Sequence, residues 1–174
     1  MIQEIKSYFF NKRLKEDLSN NSINRVINNL NDVQSVGVVF DGTSFQSIHA
    51  IHDFEVQLKK MGKQVEIFGY INTNDLKTDS VLITNKNLNW FGYPTKKELF
   101  TFSEKKFDVI FGIFYDLDSP LNVIFANSKS KLRIGPLANK NEELFDVLIG
   151  IEKGLSTVRI IQVLTEFLNK VKTK

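Results

Sequence analysis

Apolar residues fall in short continuous runs along this chain, separated by stretches with helical spacing. The clearest runs are 35–41 (SVGVVFD), 64–71 (QVEIFGYI) and 107–114 (FDVIFGIF). A continuous run is typical of a strand covered on both faces, because a strand with one wet face would alternate apolar and polar residues. Shorter runs at 81–84 and 132–134 predict two further strands.

Segments between these runs predict crossover helices. We expect helices over 45–61, which Gly62 ends, and over 119–127, 142–149 and 156–171. Strands that alternate with helices at this spacing are typical of an α/β fold with a parallel sheet. The sequence therefore predicts a three-layer Rossmann-like domain with a mainly parallel sheet and helices on both faces.

The first 32 residues predict a helical hairpin in front of that domain. Residues 2–18 predict a helix with Ile2, Ile5, Phe9 and Leu14 on one side. A second helix is predicted from the i, i+3, i+4, i+7 spacing of Ile23, Val26, Ile27 and Leu30. We thus expect one domain, with a helical extension over 1–32 and a Rossmann-like core over 33–174. The segment 72–106 stays ambiguous, as an aromatic loop followed by a short strand or turn.

Composition narrows the functional classes. The chain has no cysteine, which excludes disulfides, thiolate catalysis and cysteine metal sites. Its net charge of +3 argues against a dedicated polyanion binder. No apolar run approaches the roughly 18 residues that a membrane span needs, and the N-terminus has no apolar core of signal-peptide length. We therefore predict a cytoplasmic protein without a membrane span.

Two loops are the candidate binding region, because ligands of open α/β sheets bind beyond the carboxyl ends of the strands. The candidate residues are Asp41, Gly42, Thr43 and Ser44 after the first strand, and Asp116, Asp118 and Ser119 after the 107–114 strand. If these strands are neighbours, carboxylates and hydroxyls converge there. Such a cluster can bind Mg²⁺ or hydrogen-bond ribose or sugar hydroxyls. The same residue types also cap helices, so both interpretations stay open.

Familiar catalytic motifs are incomplete. The segment Val38–Thr43 resembles the first motif of haloacid-dehalogenase-type phosphatases, but Val39 stands where those enzymes have the nucleophilic Asp. Neither a P-loop nor a G-x-G-x-x-G motif is present. His49 and His52 share a helix face, but a histidine pair at i, i+3 is weak evidence for a metal site. We predict no metal site, and the sequence leaves the cofactor and any catalytic residue unknown.

Basic residues suggest nucleic-acid binding as a third possible function. A candidate basic surface consists of Lys129, Lys131 and Arg133. Together with the aromatic residues at 90–93, such a surface can bind RNA through phosphate contacts and base stacking. Acidic residues close to most lysine clusters along the chain make nucleic-acid binding possible but not favoured.

Residues 107–137 resemble part of the acceptor lobe of heptosyltransferase-like glycosyltransferases. The matching residues are Phe107-Asp108-Val109-Ile110 and Lys131-Leu132-Arg133-Ile134-Gly135. This resemblance implies a Rossmann-like lobe, without a catalytic residue, and 174 residues leave no room for the second lobe of such an enzyme. The whole pattern resembles an uncharacterised family of small α/β proteins common in Bacteroidetes, which implies no activity.

The leading functional hypothesis is a non-catalytic cytoplasmic module that binds a protein partner or a small ligand. The alternative is a small enzyme, or a nucleotide or sugar binder, that uses the acidic loops at the carboxyl edge of the sheet. An RNA- or ribosome-associated protein is the third possibility.

Overall fold

The computed structural model describes residues 1–73, 82–115, 119–137, 142–152 and 154–172. Its strands are β1 (Ser35–Asp41), β2 (Gln64–Ile71), β3 (Leu82–Thr84), β4 (Val109–Ile113), β5 (Arg133–Pro136) and β6 (Val147–Ile149). Its helices are α1 (Ile2–Ser19), α2 (Phe45–Lys60), α3 (Lys97–Ser103), α4 (Asn122–Asn127) and α5 (Thr157–Lys170). Short 3₁₀ turns occur at Leu30–Asp32, Asn85–Asn87 and Glu142–Leu144.

In the described part of the chain, the strands form one six-stranded sheet in the order β3-β2-β1-β4-β5-β6. Each neighbouring pair is parallel. Helices α1, α3 and α4 pack on one face, and α2 and α5 pack on the other. Alternate side chains of β1 show this division, since Val39 packs on the first face and Val38 and Phe40 pack on the second. The predicted three-layer Rossmann-like α/β fold is confirmed.

Local chemistry fixes the ends of the two longest core helices. Ser44 caps α2 by accepting a hydrogen bond from the Ser47 amide at 3.1 Å. Gly62, at φ +79°, ends α2 in a conformation that a residue with a Cβ rarely adopts. Ser156 caps α5 in the same way, accepting from the Arg159 amide at 3.3 Å. Both N-caps lie at the carboxyl end of the sheet, because each helix follows a strand directly or by a short loop.

The described strands lie close to their predicted bounds, whereas three other predicted segments differ from the structure. β1 and β2 span the predicted residues, and β3, β4 and β5 lie within two residues of theirs. The predicted helix over 142–149 is wrong, because it is a 3₁₀ turn followed by β6. The predicted strand or turn near Phe102 is also wrong, because those residues form α3. The helix predicted over 119–127 begins three residues later.

The second helix of the predicted N-terminal hairpin is wrong. α1 is present, but residues 21–29 form no helix and run along the loop between α4 and β5. The Val26 amide donates to the Lys131 carbonyl at 2.9 Å. Arg25 donates to the carbonyls of Ser128 and Ser130. These contacts hold the 20–29 segment in place without helical hydrogen bonds.

Of the residues predicted to share one side of α1, Leu14 is buried, whereas Ile2, Ile5 and Phe9 are exposed. Phe10, Leu14 and Asp17 are the buried residues of this helix. Ile2 is 73% exposed, and Phe9 is 41% exposed. In α5, Val158 is exposed, whereas Ile161, Leu164 and Leu168 are buried. No helix in the described residues is long and apolar enough to cross a bilayer.

Candidate functional site

The reversal of strand order lies between β1 and β4. β1 pairs with β2 on one side and with β4 on the other, in the register Val36↔Val109 to Phe40↔Ile113. The chain therefore leaves the ends of these two strands in opposite directions and opens a crevice between the loops that follow them. β1 and β4, the strands that precede the two predicted loops, are therefore neighbours in the sheet.

A cavity of about 510 Å³ occupies this crevice. Its lining comes from three places: the start of α2, the end of β4 and the start of α5. The residues are Asp41, Thr43, Ser44, Ser47, Ile113, Phe114, Tyr115, Leu155, Thr157 and Ile160. We call this cavity the β1–β4 crevice.

The loop after β1 is a tight turn built on Asp41. The Asp41 carboxylate accepts from the Thr43 amide at 2.9 Å and from the Thr43 hydroxyl. The Gly42 amide donates to the Tyr70 carbonyl at 2.8 Å, which ties the turn to β2. A Cβ on Gly42 would lie 3.0 Å from Ile71 Cγ1, so only glycine fits without movement of its neighbours. Asp41 and Thr43 are therefore held in a fixed arrangement at the mouth of the crevice.

A chain of hydroxyls joins the N-termini of two helices at the crevice. Ser44 Oγ and Ser47 Oγ are 2.7 Å apart, and Ser47 Oγ and Thr157 Oγ1 are 2.9 Å apart. Ser44 caps α2, and Thr157 is the first residue of α5. The positive ends of both helix dipoles therefore face the same cavity.

Tyr115 forms the opposite side of the crevice. Its hydroxyl lies 3.3 Å from the Glu152 carbonyl, to which it donates across the mouth of the cavity. Burial raises the pKa of Tyr115, so the phenol stays protonated at neutral pH. Ile113 and Leu155 supply apolar surface beside it. The lining of the crevice thus combines hydroxyl groups with apolar side chains.

The predicted site residues of the second loop are only partly described. Asp116 and Asp118 lie outside the described residues. Ser119 is buried, and its Oγ accepts from the Leu121 amide at 3.2 Å, so it shapes the entry to α4 and does not line the crevice. Of the residues predicted in the first loop, Asp41, Thr43 and Ser44 line the cavity, and Gly42 lies beneath the turn.

The three basic candidates make internal contacts. Lys131 Nζ lies 2.7 Å from Asp108 Oδ1, and Lys129 Nζ lies 2.8 Å from Asn21 Oδ1. Arg133 is only 8% exposed and pairs with Asp146 at 2.9 Å, so little of its side chain belongs to the outer surface.

Sequence reasoning missed the contributions of Ser47, Leu155 and Thr157 to the crevice. Ser156 is a recognisable N-cap, but nothing local places the start of α5 beside the start of α2. The two histidines lie elsewhere: His52 is exposed and lies 3.6 Å from Glu55 on the surface of α2. No group of three or more metal-ligating side chains occurs among the residues that the structure describes.

A family model matches residues 6–171, and its description is a family of unknown function, DUF6913. The chain belongs to the DUF6913 family. No curated protein matches the chain. The range that matches DUF6913 includes all six strands and every residue that lines the β1–β4 crevice. The crevice is therefore part of the DUF6913 domain itself.

Proposed function

We propose that this DUF6913 protein is a non-catalytic α/β module that binds a small phosphorylated ligand with sugar-like hydroxyls in the β1–β4 crevice. The observation that carries this proposal is the meeting of two helix N-termini, through Ser44, Ser47 and Thr157, at one cavity. The cavity also lies at the switch point of the sheet, where open α/β folds bind their ligands.

A phosphate group suits the end of the crevice formed by the two helices. α2 has 16 residues and α5 has 14, so each carries several turns of aligned peptide dipoles. A helix N-terminus attracts anions through its dipole and its first amides. The hydroxyls of Ser44, Ser47 and Thr157 can rotate to donate to a phosphate oxygen, because a hydroxyl is both a donor and an acceptor.

The rest of the ligand suits the remaining walls. The Asp41 carboxylate is a hydrogen-bond acceptor at the mouth and can accept from a ribose or sugar hydroxyl. Ile113 and Leu155 offer an apolar surface for a ring face. A volume of about 510 Å³ falls in the range of pockets that hold metabolite-sized ligands, about 300–1,000 Å³.

The three hydroxyls at the helix N-termini, those of Ser44, Ser47 and Thr157, bond to one another and not to a base, which supports binding without catalysis. Ser47 contacts two other hydroxyls, and neither is an imidazole, amine or carboxylate. The alternative, a small enzyme that acts on a nucleotide or sugar, depends on Asp116 and Asp118. The resemblance of residues 107–137 to glycosyltransferase lobes makes nucleotide sugars worth testing. The cytoplasm stays the predicted compartment, and cell fractionation would test it.

The test is a thermal-shift panel of nucleotides, nucleotide sugars and sugar phosphates. A ligand at 100 times its Kd stabilises a protein by about 2.7 kcal/mol, which corresponds to a rise in Tm of roughly 5–10 °C for a chain of this size. Thr43→Glu places a negative charge in the mouth and should remove the shift. Thr101→Glu is the matched control, because Thr101 is an exposed threonine of α3 that lies away from the crevice.

The panel separates three outcomes. A shift that Thr43→Glu removes and Thr101→Glu retains supports the proposal. A shift that both variants retain places the ligand elsewhere and contradicts it. Turnover of a bound ligand, measured as phosphate release or sugar transfer, would favour the enzymatic alternative.

A protein partner is the second candidate, and one surface favours it. The aromatic patch, formed by Ile2, Ile5, Phe9 and Trp90, is exposed at the N-terminal end of α1. The ring centroids of Phe9 and Trp90 are 5.4 Å apart, so the patch is continuous between α1 and the 88–94 loop. Affinity capture with the native chain and with a Phe9→Ser, Trp90→Ser variant tests this role. A partner retained by both proteins would argue against the patch.

A further inference from the structure

A second cavity, of about 440 Å³, lies at the opposite edge of the sheet. Arg133 is the first residue of β5, and Asp146 directly precedes β6, so the cavity faces the amino ends of the parallel strands. The 20–29 segment forms one of its walls. Its lining residues are Asn21, Ser22, Ile23, Asn24, Arg25, Arg133 and Asp146.

Two guanidinium groups share one carboxylate in this cavity. Arg133 binds Asp146 through two contacts, Nη2–Oδ1 at 2.9 Å and Nε–Oδ2 at 3.2 Å. Arg25 Nε lies 3.7 Å from the same Oδ1. The side chains of Arg25 and Arg133 are 15% and 10% exposed. One carboxylate balances one of the two cations, so a positive charge remains on side chains that are themselves mostly buried.

Neutral groups satisfy part of the hydrogen bonding of Arg25 without cancelling its charge. Its two terminal nitrogens donate to the carbonyls of Ser128 and Ser130. Desolvation by burial and the nearby charge of Arg133 lower the pKa of Arg25, against an opposing effect of Asp146. A guanidinium has five N–H donors. Within the described residues, Arg25 uses two of these donors for hydrogen bonds and Arg133 uses three.

Two more polar side chains line the cavity without a hydrogen-bond partner among the described residues. Ser22 and Asn24 line it, and neither side chain hydrogen-bonds to any described residue. Hydroxyl and amide groups next to spare guanidinium donors form the donor set that a tetrahedral oxyanion requires. Lys129, held 2.8 Å from Asn21, adds positive charge at the rim.

We propose that this cavity is a binding site for a phosphate group, with Arg25 and Arg133 as its charged ligands and Ser22 and Asn24 as hydrogen-bond donors. The group is either inorganic phosphate or the phosphate of a small monoester. The proposal is independent of the β1–β4 crevice, because the two cavities lie at opposite edges of the sheet and share no residue.

The experiment measures binding of inorganic phosphate and of phenyl phosphate to the full chain, by calorimetric titration and by thermal shift, against chloride at equal ionic strength. At ten times Kd, the rise in Tm should be about 3–6 °C. Asn24→Asp adds one negative charge to the cavity at almost unchanged size and should weaken phosphate binding at least about tenfold. Asn11→Asp, the same change at an exposed position of α1, is the matched control and should leave the affinity unchanged.

Arg25→Gln is the second variant, because glutamine removes the positive charge and keeps a polar side chain with hydrogen-bond donors. Loss of phosphate binding in a folded Arg25→Gln protein supports the proposal, whichever of the two phosphates binds more tightly. A response no different from chloride overturns it. Binding that persists in Asn24→Asp and is lost in Thr43→Glu also overturns it, because the phosphate then lies in the β1–β4 crevice.

Discussion

Asp108 connects three parts of the chain through one carboxylate. It accepts from the amides of Gln34 at 2.9 Å and Ser35 at 3.0 Å, and from Lys131 Nζ at 2.7 Å. Burial alone would raise the pKa of Asp108, but the hydrogen bonds from Lys131, Ser35 and Gln34 outweigh it and lower the pKa to about 2. The carboxylate is therefore more stable in the folded protein than in the unfolded chain.

This carboxylate should contribute to stability only above acid pH. Because the folded pKa lies below the unfolded value of about 3.9, its contribution is complete above pH 4 and is lost as the pH falls from about 4 to 2. Asp108→Asn should lower the free energy of unfolding at pH 7 by about 1–2 kcal/mol. Urea unfolding at pH 7 and pH 2.5 should show the difference shrink at the lower pH. Asp53→Asn, at an exposed position of α2, should show neither effect.

Gly135 is needed because an aromatic ring lies directly on the strand. A Cβ on Gly135 would lie 2.4 Å from Phe145 Cε1, and one on Gly112 of the neighbouring strand would lie 2.7 Å from the same atom. Phe145 is also 4.6 Å from Phe125 between ring centroids, so it cannot move without disturbing α4. The glycine in the resemblance to glycosyltransferase lobes therefore has a packing role here.

Gly135→Ala should destabilise the protein by about 1–3 kcal/mol through overpacking. Gly150→Ala is the control, because a Cβ there meets no atom within 4 Å. Chemical unfolding of both variants measures the difference. Equal stabilities of the two would show that Phe145 moves aside at little cost.

α1 is anchored to the 88–94 loop by a buried polar contact. Asp17 is buried and accepts a hydrogen bond from the Tyr93 hydroxyl. Arg13 lies over the Tyr93 ring, 5.7 Å from its centroid, and 3.5 Å from Asp17. Burial, followed by the hydrogen bond to Asp17, raises the pKa of Tyr93 to about 12.

Tyr93→Phe should release this anchor. It leaves Asp17 buried without its strongest donor, at a cost of about 1–3 kcal/mol. Hydrogen exchange should show reduced protection in α1 before the sheet is affected. Tyr8→Phe, which removes the same hydroxyl from an exposed residue, should change the free energy of unfolding by less than about 0.5 kcal/mol. Unchanged protection in Tyr93→Phe would refute an anchoring role.

Elements buried on both faces were predictable, and those fixed by distant contacts were not. β1 and β4 have apolar residues at consecutive positions because helices cover both faces of the sheet there. The spacing of Ile23, Val26 and Ile27 fits a helix, yet Val26 is 49% exposed. Asparagines on either side bond to the backbone elsewhere, as Asn21 does to the Ala126 carbonyl at 2.7 Å. This tertiary contact overrides the local pattern.

The candidate site was likewise predictable only where its features are local in the sequence. The carboxyl end of β1 and its capping serine follow from local sequence, because strand ends and N-caps have local signatures. The contact between Ser47 and Thr157 joins residues 110 positions apart and depends on the packing of α2 against α5. No pattern within either helix indicates that contact.

At the scale of the whole molecule, the two faces share one sheet and should unfold together. β1 and β4 each contribute residues to both hydrophobic clusters, so neither cluster can lose its packing alone. We expect one cooperative thermal transition, with calorimetric and van't Hoff enthalpies that agree. Differential scanning calorimetry tests this. Two separate transitions would contradict the prediction of a single domain.

The placement of Asn29 affects how the protein acquires its structure during synthesis. Its side-chain amide donates to the carbonyls of Asn169, at 3.0 Å, and Val171, at 2.8 Å. Asn29 is synthesised 140 residues before the first of these acceptors. β1, which follows Asn29 after a 3₁₀ turn, must likewise wait for β4 to cover its second edge. The nascent chain therefore carries an open, apolar strand edge through much of translation, and it is over this interval that a chaperone would protect it from aggregation.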